Sequence, residues 1–382
     1  MKTWSQVIVV LTVLLWCSRG YPHQVPNSVV NFDFGAQTVR AELLMPLSEL
    51  RDALGELRGV DTAKQAVEHD VALIAYVLKH VSAASVDGSP WTIEVTSIGA
   101  TSFDAHEYLN VVLALKPPEH GSARQFVWHD DAITHEVRNH FIMLVARSDF
   151  ATGLIGADAQ FIAVLQHPMT TFTIDRGAPQ AGAGFRAAFQ LGVAHIVQGT
   201  DHLLFLLTLL LPASLVAVNK HWQGRRTLSS ALRQLVAGVT AFTMGHSVAL
   251  AGSVAYAWQA PSQPIEILIA ASILVSAIHA SRPVFPGREP LIAGLFGVIH
   301  GLAFATALNN HVLDSSSKTF AILGFNLGIE SVQILVILLA MPILYVTQPM
   351  RFSVPLRQAL SILAGGIALF WIIGRLGFAS IV

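Results

Sequence analysis

Two different hydrophobic periods divide this chain. Up to about residue 180 the apolar positions come in short runs. Residues 91–98, 108–115, 125–128, 141–145 and 161–165 are apolar or β-branched and are separated by turn residues. Such runs predict strands, and the spacers are too short for crossover helices, so the pairing is expected to be mostly antiparallel. Ahead of them Val67, Val71, Ile74, Leu78 and Val81 recur at three- and four-residue steps behind Asp61, which predicts a capped helix. A shorter helix is expected over residues 49–57, behind Ser48. Together these elements predict a small α+β, β-sandwich-like domain over residues 21–180.

From Arg186 onward the pattern turns to long apolar stretches: 187–212, 231–258, 265–280, 291–308, 320–346 and 353–373. Each is near the length that crosses a hydrocarbon core about 30 Å thick. The expectation is an α-helical polytopic membrane bundle of about six transmembrane helices over residues 186–378. At the front, Lys2, an apolar run over 7–16 and Cys17-Ser18-Arg19-Gly20 read as a secretory signal peptide over 1–20. About ten apolar residues are too few for a helical span. The α+β domain is then expected to be exported. Cleavage near Gly20 would remove Cys17, the single cysteine, and with it any thiolate ligand, disulfide or thiol nucleophile.

Composition sharpens this picture. Of 382 residues, 53% are hydrophobic and only 12% charged, about half the charged share of an ordinary soluble protein, which excludes a nucleic-acid binder or a disordered chain. Residues 21–185 carry 19 Asp/Glu against 10 Lys/Arg, whereas the remainder carries 5 against 11. With the front domain outside, the inner loops hold Lys220, Arg225, Arg226, Arg233, Arg282, Arg288, Arg351 and Arg357. The outer loops hold Lys318 with Asp314 and the uncharged stretch 259–263. That asymmetry follows the positive-inside rule and predicts a multi-pass protein of the cell (inner) membrane with its C-terminus also outside. Nine of sixteen histidines precede the membrane half, among them His106, His120, His129, His135 and His140. They either gather divalent cations near the membrane or are plain surface residues, and His129-Asp130-Asp131 is the one local cluster.

The chemistry worth pursuing lies in the apolar stretches. They contain His195, Asp201 and His202; His246; Glu266 and His279; His300; and Glu330. Ionisable residues at membrane depth face a bundle interior, a partner or water rather than lipid. His195 and His202 are two turns apart, which on one continuous helix puts them on one face about 10 Å apart along the axis. Asn326, Glu330 and Gln333 form a polar stripe on the fifth stretch. Gly192, Gly199, Gly238, Gly297, Gly324 and Gly328 suggest closely packed helices. Glu266 and His279 lie near helix ends, where water can satisfy them. Imidazole and carboxylate without sulfur suit borderline divalent ions such as Ni²⁺, Co²⁺ and Zn²⁺.

Four segments resemble the HupE/UreJ family of membrane proteins, associated with hydrogenase and urease maturation and regarded as nickel or cobalt permeases. They are His195-Ile-Val-Gln-Gly-Thr-Asp201-His202-Leu-Leu-Phe, Thr240-Ala-Phe-Thr-Met-Gly-His246-Ser, Phe296-Gly-Val-Ile-His300-Gly and Gly324-Phe-Asn-Leu-Gly-Ile-Glu330. The first, H-x5-D-H, is the most specific; nickel–cobalt permeases of another family use H-x4-D-H. The resemblance implies metal handling at His195, Asp201, His202, His246, His300 and Glu330. It also implies a divalent metal ion as substrate with no permanently bound cofactor, and metalloenzyme maturation proteins as partners. Of the alternatives, an intramembrane zinc hydrolase near Ser247 needs one closed three-ligand site with an open position. A haem-binding electron carrier needs paired axial histidines. A membrane-anchored sensor needs recognition by the front domain. The chain has no G-x-x-x-x-G-K-[ST] motif, so a permease here would draw its energy from a gradient or a separate subunit.

Overall fold

The computed structural model describes residues 26–103, 106–155, 159–256, 261–309 and 315–377. The expected signal peptide and Asp314 lie outside these residues.

The front domain is α+β, with two sheets closing on one core. Its large sheet runs in the order β4-β5-β2-β1-β7-β8, made of β1 (Ser28–Phe34), β2 (Val39–Pro46), β4 (Thr92–Phe103), β5 (His106–Lys116), β7 (Phe141–Asp149) and β8 (Gln160–Gln166). The small sheet, β3-β6-β9, uses β3 (Val81–Ala84), β6 (Gln125–Asp130) and β9 (Thr171–Asp175). All pairings are antiparallel except β1 with β7, which is parallel. Between the sheets Phe32 meets the edge of Trp128 at 5.1 Å, and Phe126 closes on Phe34 and Trp91. The five expected strands are all present. The centre of the large sheet, β1 and β2, comes from a segment whose alternation Val30-Phe32-Phe34 and Val39-Ala41-Leu43-Met45 points every second side chain inward.

The helices differ in detail from the periodicity. Leu47–Ala53 forms α1, entered from Pro46 rather than Ser48. Thr62, not Asp61, caps the short α2 (Ala63–Ala66), in a reciprocal capping box with Gln65. A tight turn then leads into α3 (Asp70–His80). Its buried face is Leu73, Tyr76, Val77 and His80, whereas Val71 is 76% exposed, so the inward stripe lies on the other side from the one predicted. The imidazole of His80, held by Asp131 at 2.8 Å, makes that face less apolar than the sequence pattern alone suggests. At the end of β7, buried Asp149 takes Arg124 in a two-pronged pair (3.0 and 3.1 Å) and Arg176 at 3.0 Å, fixing the chain that leads toward the bundle.

Among the described residues the second half is mainly helical: α4 (Ala183–Gln198), α5 (Thr200–Leu210), α6 (Leu228–Ala255), α7 (Ser262–Ser281), α8 (Glu289–Asn309), α9 (Ser315–Thr347) and α10 (Ser353–Arg375). Four of these are long and apolar enough to cross a membrane; α4 and α5 together make a fifth, and α8 adds an apolar stretch over Glu289–Ala303. The six apolar stretches are therefore all helical, but the first is not one helix. It breaks at Gly199 and bends by 71°. Between α5 and α6 a small hairpin, β10 (Val216–Val218) with β11 (His221–Gln223), turns at Asn219-Lys220, both in the left-handed region such two-residue turns require. Pro264, Pro290 and Pro355 sit in first helical turns, where a missing N–H breaks no intrahelical bond.

Candidate metal centre

Backbone contact builds the site. A Cβ on Gly192 of α4 would overlap the Phe325 carbonyl of α9, and one on Gly297 of α8 would overlap the Phe242 carbonyl of α6. Only glycine lets those helix pairs touch so closely. Gly301 likewise meets the carbonyl of His246, holding the turns that carry His246 and His300 against each other. Gly238 has nothing within 4 Å of its Cβ position, so it is no helix contact.

The break at Gly199 decides the rest. The Gly199 N–H still closes α4 onto the His195 carbonyl (2.9 Å), while its own carbonyl accepts from Leu203 to open α5 (3.2 Å). The chain turns between them, and the rings of His195 and His202 come to 4.7 Å, well inside the axial spacing expected of one helix. The same turn leaves Asp201 in the first turn of α5, where a carboxylate is favoured. From there its Oδ1 accepts from both the backbone N–H and the Nδ1 of His202, each at 2.9 Å, and it comes within 4.8 Å of a ligand atom of His300 on α8.

Five of the six sequence-predicted residues converge. His195, His202 and His246 present ligand atoms all within 4.8 Å of one another, and Asp201, His202 and His300 do the same, with His202 in both groups. His202, His246 and His300 are buried. Glu330 joins neither group; its Oε1 accepts from the Thr240 hydroxyl at 2.7 Å. Glu266 pairs with Arg375 at 2.7 Å at the helix ends. His279 takes the Val284 and Phe285 N–H groups on its Nδ1.

Hydrogen bonds fix which nitrogen each imidazole offers. Asp201 can only accept from His202, so Nδ1 carries the proton and Nε2 the lone pair. Asn326 donates its amide N–H to the Ile322 carbonyl, so its Oδ1 faces His246 Nδ1 (3.1 Å) as an acceptor, and again Nε2 is left as lone pair. Ser272 gives its hydroxyl proton to the Ile269 carbonyl, so it accepts from His300 Nε2 (3.0 Å) and leaves Nδ1. Those three free nitrogens, His202 Nε2, His246 Nε2 and His300 Nδ1, are buried and have no hydrogen-bond partner. Orienting a ligand imidazole through its second nitrogen is how proteins prepare histidine for a metal.

Aromatic rings wall the cluster. Phe242 lies 6.0 Å from His202 and 5.2 Å from His300; Phe205 lies 5.9 Å from His300, and Phe325 lies 6.0 Å from His246. These apolar rings lower the local polarity, so charge on an entering ion is felt strongly. Sequence reasoning missed Ser272 and gave Asn326 no role beyond its polar stripe. The available signal was a serine in the apolar middle of α7, shared with Ser276 one turn on, and, for Asn326, its place one turn before Glu330. Ser247, the residue a hydrolase reading pointed to, spends its hydroxyl on the Thr243 carbonyl of its own helix.

A search of curated proteins finds no match to this chain. The family model described as HupE / UreJ protein matches residues 170–375, more than half of the chain and the whole helical bundle that holds the histidine cluster. The chain belongs to the HupE/UreJ family.

Proposed function

We propose that the bundle is a permease for a divalent transition-metal ion of the nickel or cobalt class, with the ion as its substrate. The observation that carries this reading is the set of three buried imidazole nitrogens without a hydrogen-bond partner, on histidines that belong to two ligand groups sharing His202. Leaving such acceptors unsatisfied is unfavourable by roughly 1–3 kcal/mol each, and a divalent ion held in either group relieves the ones it binds. Asp201 supplies the one carboxylate of the two groups. Because His202 belongs to both, an ion can exchange the His195–His246 side for the Asp201–His300 side without ever losing its central ligand. That overlap suits passage better than the permanent grip of a structural site. Glu330, bonded to Thr240 one side of the cluster, is proposed as a compensating charge or proton carrier rather than a ligand.

The excess of basic residues in one set of loops supports an inner-membrane orientation with the α+β domain and the C-terminus on the extracytoplasmic side, and metalloenzyme maturation proteins are the proposed recipients of the ion. The test is accumulation of radioactive nickel, and separately cobalt, by cells producing the native chain or the double variant His202→Ala/His246→Ala. The double variant is expected to reduce accumulation to that of cells lacking the protein. Unchanged accumulation removes the permease reading.

A further inference from the structure

At the far end of the bundle from the α4 entry, a cavity of about 370 Å³ opens between the residues that follow α5, the β10–β11 hairpin, the end of α9 and the start of α10. That volume is in the range of small-ligand sites. Its lining mixes apolar residues, among them Leu211, Leu344 and Leu360, with the polar Ser214, Gln223 and Arg357.

Arg357 is the anomaly. It is 8% exposed, and its Nη1 donates to the carbonyls of Ala280 (2.7 Å) and Ser281 (3.1 Å), the closing residues of α7. Among the described residues no carboxylate pairs with it. The closing carbonyls of α7 carry the partial negative charge of a helix end and offset the guanidinium in part, but they are not a full counter-charge. The start of α10 at Ser353, also in the lining, adds the positive end of a helix to the same cavity. Both features ask for an anion.

The surroundings mark the depth. Trp222 lines the cavity, and beside it Arg225 stacks 3.6 Å over the ring of Tyr345. Tryptophan, tyrosine and arginine of this kind collect where hydrocarbon meets headgroups. A site that combines a buried cation lacking a full counter-charge with several leucines matches a phosphate group attached to acyl chains. We propose that this cavity binds the phosphate of an anionic phospholipid through Arg357 and the N-terminal turn of α10. The site is separate from the histidine cluster and does not depend on metal transport.

The test uses the full chain, purified in a neutral detergent and stripped of lipid. Thermal melting is followed with phosphatidylglycerol, with phosphatidylcholine and with inorganic phosphate, for the native chain, Arg357→Gln and Arg357→Lys. Phosphatidylglycerol is expected to raise the native melting temperature several degrees above the phosphatidylcholine value. Arg357→Gln is expected to abolish that difference and Arg357→Lys to keep part of it. Equal effects of the two lipids, or a difference that survives Arg357→Gln, overturns the proposal. A shift with inorganic phosphate and none with phosphatidylglycerol overturns the lipid as the source. Should Arg357→Gln not fold, native mass spectrometry of the unmodified chain decides: selective retention of phosphatidylglycerol supports the site, and equal retention of both lipids rejects it.

Discussion

The imidazoles of His195 and His202 stand 4.7 Å apart because the chain between them bends by 71° at Gly199. A Cβ at Gly199 would lie 2.6 Å from the His195 carbonyl oxygen and 3.0 Å from His202 Nδ1. The backbone there (φ −78°, ψ 93°) is open to any residue, so space alone demands glycine. Gly199→Ala is expected to splay the two rings and weaken nickel or cobalt binding at least tenfold, as seen by equilibrium dialysis of the purified chain. The melting temperature should move by only a few degrees, since the helices on either side keep their packing.

Asn326 holds His246 from outside the cluster. Replacing it by leucine frees the His246 tautomer and leaves Nδ1 without its acceptor. Loss of such a supporting bond lowers metal affinity by about 10- to 100-fold. Asn326→Asp keeps an acceptor at the same place and is expected to retain most of the affinity. Calorimetric titration with Co²⁺ compares the two; equal affinities for the leucine and aspartate variants would contradict the positioning role.

Glu330 gives the opposite expectation. Glu330→Gln preserves an oxygen for the Thr240 hydroxyl and changes nothing within either ligand group. Metal affinity in detergent should stay within about twofold of native, while accumulation in cells falls if the carboxylate carries compensating charge. A tenfold loss of affinity would instead move Glu330 into the ligand set.

In the α+β domain, Asp130 is fully buried, and burial, with Asp131 adding to it, pushes its carboxyl up to about 8. An acid raised above its unfolded value of 3.8 stabilises the fold fully below about pH 4 and loses that contribution as pH rises through about 8. Its Oδ1 accepts the Ala132 N–H at 3.0 Å, a bond asparagine can also accept. Asp130→Asn is therefore expected to stabilise the domain at pH 8, by several kcal/mol, and to have no effect near pH 4. Hydrogen exchange of β6 amides in the full chain at the two pH values measures this.

Much of this architecture is visible in one dimension, and the reasons for the exceptions are physical. Apolar length alone marks the six helical stretches. Histidine and carboxylate in those stretches mark the cluster, because such groups have no stable place in lipid. What sequence periodicity does not show is where a helix stops being straight: Gly199 reads as one more small residue, although it changes the His195–His202 distance by a factor of two. Orientation of polar groups is also hidden, so Ser272 stays invisible until α7 is seen against α8. In the front domain the parallel pairing of β1 with β7 joins segments more than a hundred residues apart, which no local spacing records. His80 shows the converse: counted as a scattered histidine, it lies on the buried face of α3.

His202 belongs to both ligand groups, so it is where the account is most exposed. Nickel K-edge X-ray absorption on the purified full chain, loaded and then desalted, reads the number of ions and their ligands directly. The expected spectrum shows about one nickel per chain with nitrogen and oxygen neighbours and the outer-shell pattern of at least two imidazoles, and His202→Ala loses the ion. Nickel that washes away from the native chain, or an unchanged spectrum in His202→Ala, would mean that the buried imidazoles do not bind the metal.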